Sequence, residues 1–172
     1  RLLGLFAPGA LTPESQRPPG SSEPRLPDMT AAALAVLERA PSGFFVLIEG
    51  SQIDFGNHAN NPEWQRGEVL AFDEAVGVVR RWLAADPRRE RETLVIVAPD
   101  HETGGYAFTG PYGWLPGPGV PVESTWATSG HTGGDVPIWS QGPQAWRLAR
   151  PIDNTDVYRV VVDAMLGKGG AQ

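Results

Sequence analysis

The stretch Gly43-Phe44-Phe45-Val46-Leu47-Ile48-Glu49-Gly50-Ser51-Gln52-Ile53-Asp54-Phe55-Gly56-Asn57-His58 decides how the rest of the chain is read. Five consecutive apolar residues, 44–48, stand between turn residues, the pattern of a strand buried on both faces of a parallel sheet. Glu49 marks its carboxyl end. Asp54 and His58 follow at spacings of five and four, so a turn after the strand can bring Glu49, Asp54 and His58 to one pocket.

Working outward, Val69, Phe72, Val76, Val79 and Leu83 recur every three or four residues and predict a helix over 63–84, closed by Asp86-Pro87. Leu94-Val95-Ile96-Val97-Ala98 predicts a second buried strand, ending in Pro99-Asp100-His101. Strand, helix and strand make a right-handed parallel crossover, which places both carboxyl ends on the edge where α/β sheets gather their active sites. Asp100 and His101 add a second carboxylate and imidazole there. His131 lies in Ser129-Gly130-His131-Thr132-Gly133-Gly134-Asp135, where glycines permit close backbone approach.

The remaining segments frame this centre. Residues 1–27 read as an irregular connection, and a helix follows Pro27 and Asp28 over Met29 to Ala40. Residues 28–103 form the strand-helix-strand core and 104–130 a loop excursion carrying Tyr106, Phe108, Tyr112 and Trp114. Residues 131–166 hold the last imidazole, an edge strand over 136–140 with Pro137, and a terminal helix over 155–166 entered through Asp153-Asn154. The tail 167–172 reads as frayed.

Composition narrows the chemistry. The 172 residues include 21 Gly and 17 Pro, yet 41% are hydrophobic, enough for one core and one domain. A net charge of −6 argues against nucleic-acid phosphates or an anionic membrane as the main partner. Cysteine is absent, so any zinc must use imidazole and carboxylate, and the histidines are His58, His101 and His131 alone. That donor mix suits Zn²⁺, with Mg²⁺ at the carboxylate-rich end. Taken singly, Glu49 or Asp54 reads equally as a surface or capping carboxylate, and a lone histidine as a hydrogen-bonded loop residue. Trp64, Trp82, Trp126, Trp139 and Trp146 read as core or loop anchors, and Asp153 and Asp156 as helix caps. Residues 110–121 lack the lysine and helix start of a phosphate loop. The apolar opening Leu2-Leu3-Gly4-Leu5-Phe6 is too short for a membrane span or a signal core, and a chain starting at Arg1 reads as a piece of a longer protein.

Three motifs then carry a resemblance. Residues 43–54 with His58-Ala59-Asn60, the run Val97-Ala98-Pro99-Asp100-His101-Glu102-Thr103-Gly104-Gly105, and Ser129-Gly130-His131-Thr132-Gly133 resemble the metal motifs of the alkaline phosphatase family. Leu2 to Phe6 and Asp153-Asn154-Thr155-Asp156 extend the likeness over almost the whole chain, as the family's carboxyl-terminal part. The resemblance implies an α/β layered sheet, mainly parallel, with helices on both faces and strands missing from this chain. It implies that Asp54, His58 and His131 hold one zinc, that Asp100 and His101 help hold a second, and that Glu49 binds a neighbouring magnesium. The family hydrolyses phosphate monoesters by in-line displacement through a phosphoserine.

The departures are as informative. No counterpart is found for the family's nucleophilic serine, for the aspartate shared by zinc and magnesium, for the hydroxyl ligand of magnesium or for the phosphate-binding arginine, so no catalytic nucleophile is assigned here. Ser51 lies inside the metal motif and is not promoted. Phe55 and Thr103 stand where some relatives carry Lys or His, which leaves no local cation for phosphate. The expectation is a chain with one complete zinc site, a partial second zinc site and a partial magnesium site, inactive alone, with an exposed sheet edge that favours self-association. The implied partners are a phosphate monoester, the missing amino-terminal half and a possible second copy in a homodimer, in an extracytoplasmic setting. The rival readings are a non-catalytic metal-binding or assembly module that pairs with another chain and, more weakly, a phosphodiesterase or phosphomutase of the wider superfamily.

Overall fold

The computed structural model describes residues 2–110, 113 and 116–167. Tyr112, Trp114 and the tail beyond Gly167 lie outside the described residues. In chain order the elements are α1 (Leu26–Leu37), α2 (Gln52–His58), α3 (Pro62–Ala84), α4 (Pro87–Glu92), β1 (Val95–Val97), β2 (Glu102–Thr103), β3 (Ala107–Thr109), β4 (Glu123–Thr125), β5 (His131–Thr132), β6 (Trp139–Gln141) and α5 (Asn154–Met165). They fall into two compact units, Arg1–Val79 with Thr103–Thr132, and Arg80–Glu102 with Gly133–Gln172.

In the first unit, α1 begins as its sequence dictates. Pro27 sits in the first turn and the Asp28 carboxylate accepts the Arg25 N–H at 3.2 Å. Pro27, Thr30 and Leu34 are buried at spacings of three and four, one face of the helix. Asn61 starts α3 by accepting the N–H groups of Glu63 and Trp64 at 3.1 and 3.0 Å. The buried stripe of α3 runs through Ala71 and Ala75 to Leu83, whereas Val69 is exposed. Phe72, Val76 and Val79 of the expected face are half-buried and Leu83 is buried, so that face holds except at Val69 and is widened by Ala71 and Ala75.

The irregular connection is tied down by charge. Glu14 accepts Arg25 Nε at 2.8 Å, and Arg25 Nη1 reaches Glu74 on α3 at 2.6 Å. The Glu14 N–H donates to Glu68 of α3 at 2.7 Å. Burial pushes the Glu68 carboxyl above its usual range, against the lowering effect of that bond. The Thr12 N–H, donating to Glu23 at 3.0 Å, holds the Glu23 carboxyl below its usual range.

Three expectations need correction. Residues 44–48 belong to no ladder among the described residues, and Phe45 and Leu47 are 58% and 74% exposed. An apolar run is buried on two faces only when other strands flank it, and among the described residues none pairs with it. The sheet is also not mainly parallel within the described residues. Both ladders of defined register are antiparallel: β1 with β6, Val95 opposite Gln141, and β3 with β4, Phe108 opposite Ser124. With residues 44–48 in no ladder, the strand-helix-strand crossover is represented by its helix and its second strand. The excursion after Gly104 is not all loop, since β3 and β4 pair within it.

In the second unit, Asp86 caps α4 by accepting the Arg88 N–H at 2.8 Å, and Asp153 caps α5 by accepting the Thr155 N–H at 2.9 Å. Leu148 and Val160 are buried, and Arg147 pairs with Asp163 on α5 at 2.9 Å. Trp139 and Trp146 are exposed, so neither is a core anchor. No described helix is long and apolar enough to cross a membrane.

Candidate metal centre

Helix α2 carries two of the expected ligands at the spacing that puts them on one face, Asp54 in its first turn and His58 four residues later. The helix is held at both ends. Buried Gln52 donates its side-chain amide to the Leu11 carbonyl at 2.7 Å. Gly56 lies so close to the start of α3 that a Cβ there would sit 2.7 Å from the Gln65 nitrogen. Only glycine allows that approach.

His131 completes the group from β5. Its Nε2 lies 3.5 Å from Asp54 Oδ1 and 3.1 Å from His58 Nε2, while His58 Nε2 lies 3.3 Å from Asp54 Oδ2. The two imidazole centroids are 4.9 Å apart. Exposure rises outward, 30% for the Asp54 side chain, 38% for His58 and 46% for His131, so the group opens to solvent on one side.

The neighbours fix how these side chains present themselves. His58 Nδ1 is 2.6 Å from the Ser129 carbonyl oxygen, which can only accept, so Nδ1 carries the proton and the neutral ring offers a lone pair at Nε2. His131 Nε2 lies 3.1 Å from that atom, and any proton held between the two ring nitrogens must leave before both can bind one cation. Thr103, 6% exposed, donates its hydroxyl to Asp54 Oδ1 at 2.5 Å. Sequence reasoning saw in Thr103 only the lack of a cation. Its role as the donor that orients Asp54 had no local signal, because the two residues are 49 positions apart.

Asp100 and His101 follow β1 in the second unit, where His101 Nε2 lies 3.2 Å from Asp100 Oδ2. Glu49, exposed, lines a recess of about 160 Å³ in the first unit together with Thr12, Gln52 and Glu68. The structure thus brings Asp54, His58 and His131 together within one unit. Two imidazoles and a carboxylate with an open side could hold Zn²⁺ as the three protein ligands of a catalytic site.

Known proteins bear on this geometry. The family model for alkaline phosphatase matches residues 1–125. Alkaline phosphatase 3 of Bacillus subtilis (strain 168) is 28% identical over 96% of this chain and 49% of its own length. Alkaline phosphatase H of Pseudomonas aeruginosa (strain UCBPP-PA14) is 32% identical over 95% of this chain and 40% of its own. Among solved structures, the alkaline phosphatase of the Antarctic bacterium TAB5 superposes with a TM-score of 0.70 at 30% identity, over 82% of this chain and 40% of that one. A variant of that enzyme was solved with Mg bound in its M3 site. A cold-active alkaline phosphatase from a psychrophilic Shewanella superposes with a TM-score of 0.78 at 24% identity, over 98% of this chain and 55% of that one. That likeness establishes an α/β fold of the same kind, and the chain spans about half the length of the relatives it matches.

Proposed function

The chain belongs to the alkaline phosphatase family, and from that premise we propose that it is the carboxyl-terminal, metal-binding portion of a phosphomonoesterase whose serine nucleophile lies elsewhere in the polypeptide. The observation that carries the proposal is the convergence of Asp54, His58 and His131 from two distant stretches of a chain with that membership.

Each residue has a definite task in this reading. Asp54, oriented by Thr103, supplies the negative charge that offsets a bound cation. His58, held by the Ser129 carbonyl, presents Nε2 in the tautomer a metal requires. His131 closes the set and leaves the solvent side for a phosphoryl oxygen or water. Zinc bound there would supply a Lewis acid and lower the pKa of a hydroxyl or water brought to its open position. Asp100 and His101 contribute to a second zinc and Glu49 to a magnesium, both completed by residues outside the 172. The mainly parallel sheet is likewise completed by strands outside this chain, with residues 44–48 taking their place among them. Membership also favours an extracytoplasmic protein and a homodimer.

Titration of metal-free chain with Zn²⁺ tests the centre. One equivalent should bind tightly in the parent and be lost in His131→Ala. Unchanged stoichiometry in that variant would sink the ligand assignment. Hydrolysis of p-nitrophenyl phosphate should appear when the chain, zinc and magnesium are combined with an amino-terminal alkaline phosphatase fragment. A formed complex without turnover would favour a non-catalytic assembly module instead.

A further inference from the structure

One group of contacts joins the two stretches that carry Asp54, His58 and His131 without offering any ligand atom. Asn57 Oδ1 accepts the indole N–H of Trp126 at 3.0 Å. The Asn57 carbonyl accepts the Asn60 N–H at 2.9 Å. With the Asn60 side-chain nitrogen turned toward the two carbonyls it satisfies, it reaches Asn57 O at 2.8 Å and Thr128 O at 3.1 Å. Asn60 adopts φ +49°, a region that asparagine tolerates better than most residues.

The indole sits in a shaped slot. Gly104 has φ +92°, and a Cβ there would collide with the edge of the Trp126 ring. The Tyr106 ring lies 4.6 Å away, centroid to centroid, on the same indole. The N–H groups of Ala127 and Thr128 both donate to the Gly104 carbonyl, at 2.9 and 3.1 Å. Residues 126–128 are therefore fixed from two sides shortly before His131.

We propose that Asn57 and Trp126 are positioning residues, a clamp that holds the 126–131 segment against α2 so that His131 faces Asp54 and His58 before any metal arrives. The inference rests on the ligand reading above and adds what makes that set preformed. Without the clamp, the loop carrying His131 would lose its conformational freedom at the moment of metal binding, and affinity would fall by that cost.

The test uses the whole chain, with Asn57→Leu, Trp126→Phe and the pair. Trp126→Phe keeps a ring in the slot and removes only the donor, so the fold is retained. Each single variant should weaken Zn²⁺ binding about tenfold, because the 126–131 segment must then be ordered when the metal binds. The pair should be no weaker than either single variant, because both remove the same bond. Hydrogen exchange on the metal-free chain supplies an independent readout. Protection of 126–131 should fall in Asn57→Leu and Trp126→Phe, be retained in Asn57→Asp, which keeps the acceptor, and remain unchanged over 62–84. Unaltered exchange over 126–131, or zinc losses that multiply in the pair, would overturn the clamp. His131→Ala run alongside isolates the ligand reading, which can fail on zinc uptake while the exchange data still decide the clamp.

Discussion

Removing the Thr103 hydroxyl is a sharp test of how the Asp54 carboxylate is held. Thr103→Val preserves shape at a buried position and deletes only the donor to Asp54 Oδ1. A hydrogen bond to a charged group contributes about 1.5–3 kcal/mol when well shielded. Asp54 keeps 30% of its side-chain surface, so water replaces part of the loss and about 1–1.5 kcal/mol remains. Since 1.4 kcal/mol is tenfold in an equilibrium constant, Zn²⁺ affinity should fall by about fivefold to tenfold. The assay is competition for Zn²⁺ against a chelator of known affinity, with Thr103→Ser as the control that restores the hydroxyl. Thr103→Ser should stay near the parent value. Equal affinities for Thr103→Val, Thr103→Ser and the parent would refute the argument that this bond orients the ligand.

Two further outcomes follow from other parts of the molecule. Burial raises the Glu68 carboxyl above its usual value of 4.5, so its contribution to stability is present below that pH and is lost as pH rises through the raised value. Glu68→Gln keeps an acceptor for the Glu14 N–H, and in urea unfolding its advantage over the parent should grow from pH 4.5 to pH 7.5; a pH-independent difference would contradict this. Phe45 and Leu47 expose large apolar surface on a run that belongs to no strand ladder among the described residues, and covering each is worth about 1.5–3 kcal/mol. Light scattering should therefore find the parent self-associating and Phe45→Ser with Leu47→Ser markedly less so, whereas a strictly monomeric parent would count against the edge as a pairing surface.

Local pattern and tertiary context divided the fold unevenly. Helices α1, α3 and α5 were legible because caps, proline position and spacing act within a few residues: Asp28, Asn61 and Asp153 do their work next door in sequence. Strand pairing was not legible. Residues 44–48 and 95–97 look alike in sequence, yet only the second is in a ladder, since a strand depends on what lies beside it. The antiparallel partner of β1 is more than 40 residues away at Trp139–Gln141, and nothing in the run Val95-Ile96-Val97 names it.

The candidate centre divides along the same line. Sequence alone determined the donor types, because a chain without cysteine and with three histidines can offer zinc only imidazole and carboxylate, and the spacing of Asp54 and His58 places them on one helical face. Only the tertiary structure decided that His131 meets them, that Thr103 orients Asp54 and that the Ser129 carbonyl selects the tautomer of His58. Helical geometry is short-ranged and written in neighbouring residues. Convergence across 49 to 73 positions depends instead on how the chain closes its loops, which no local stretch encodes.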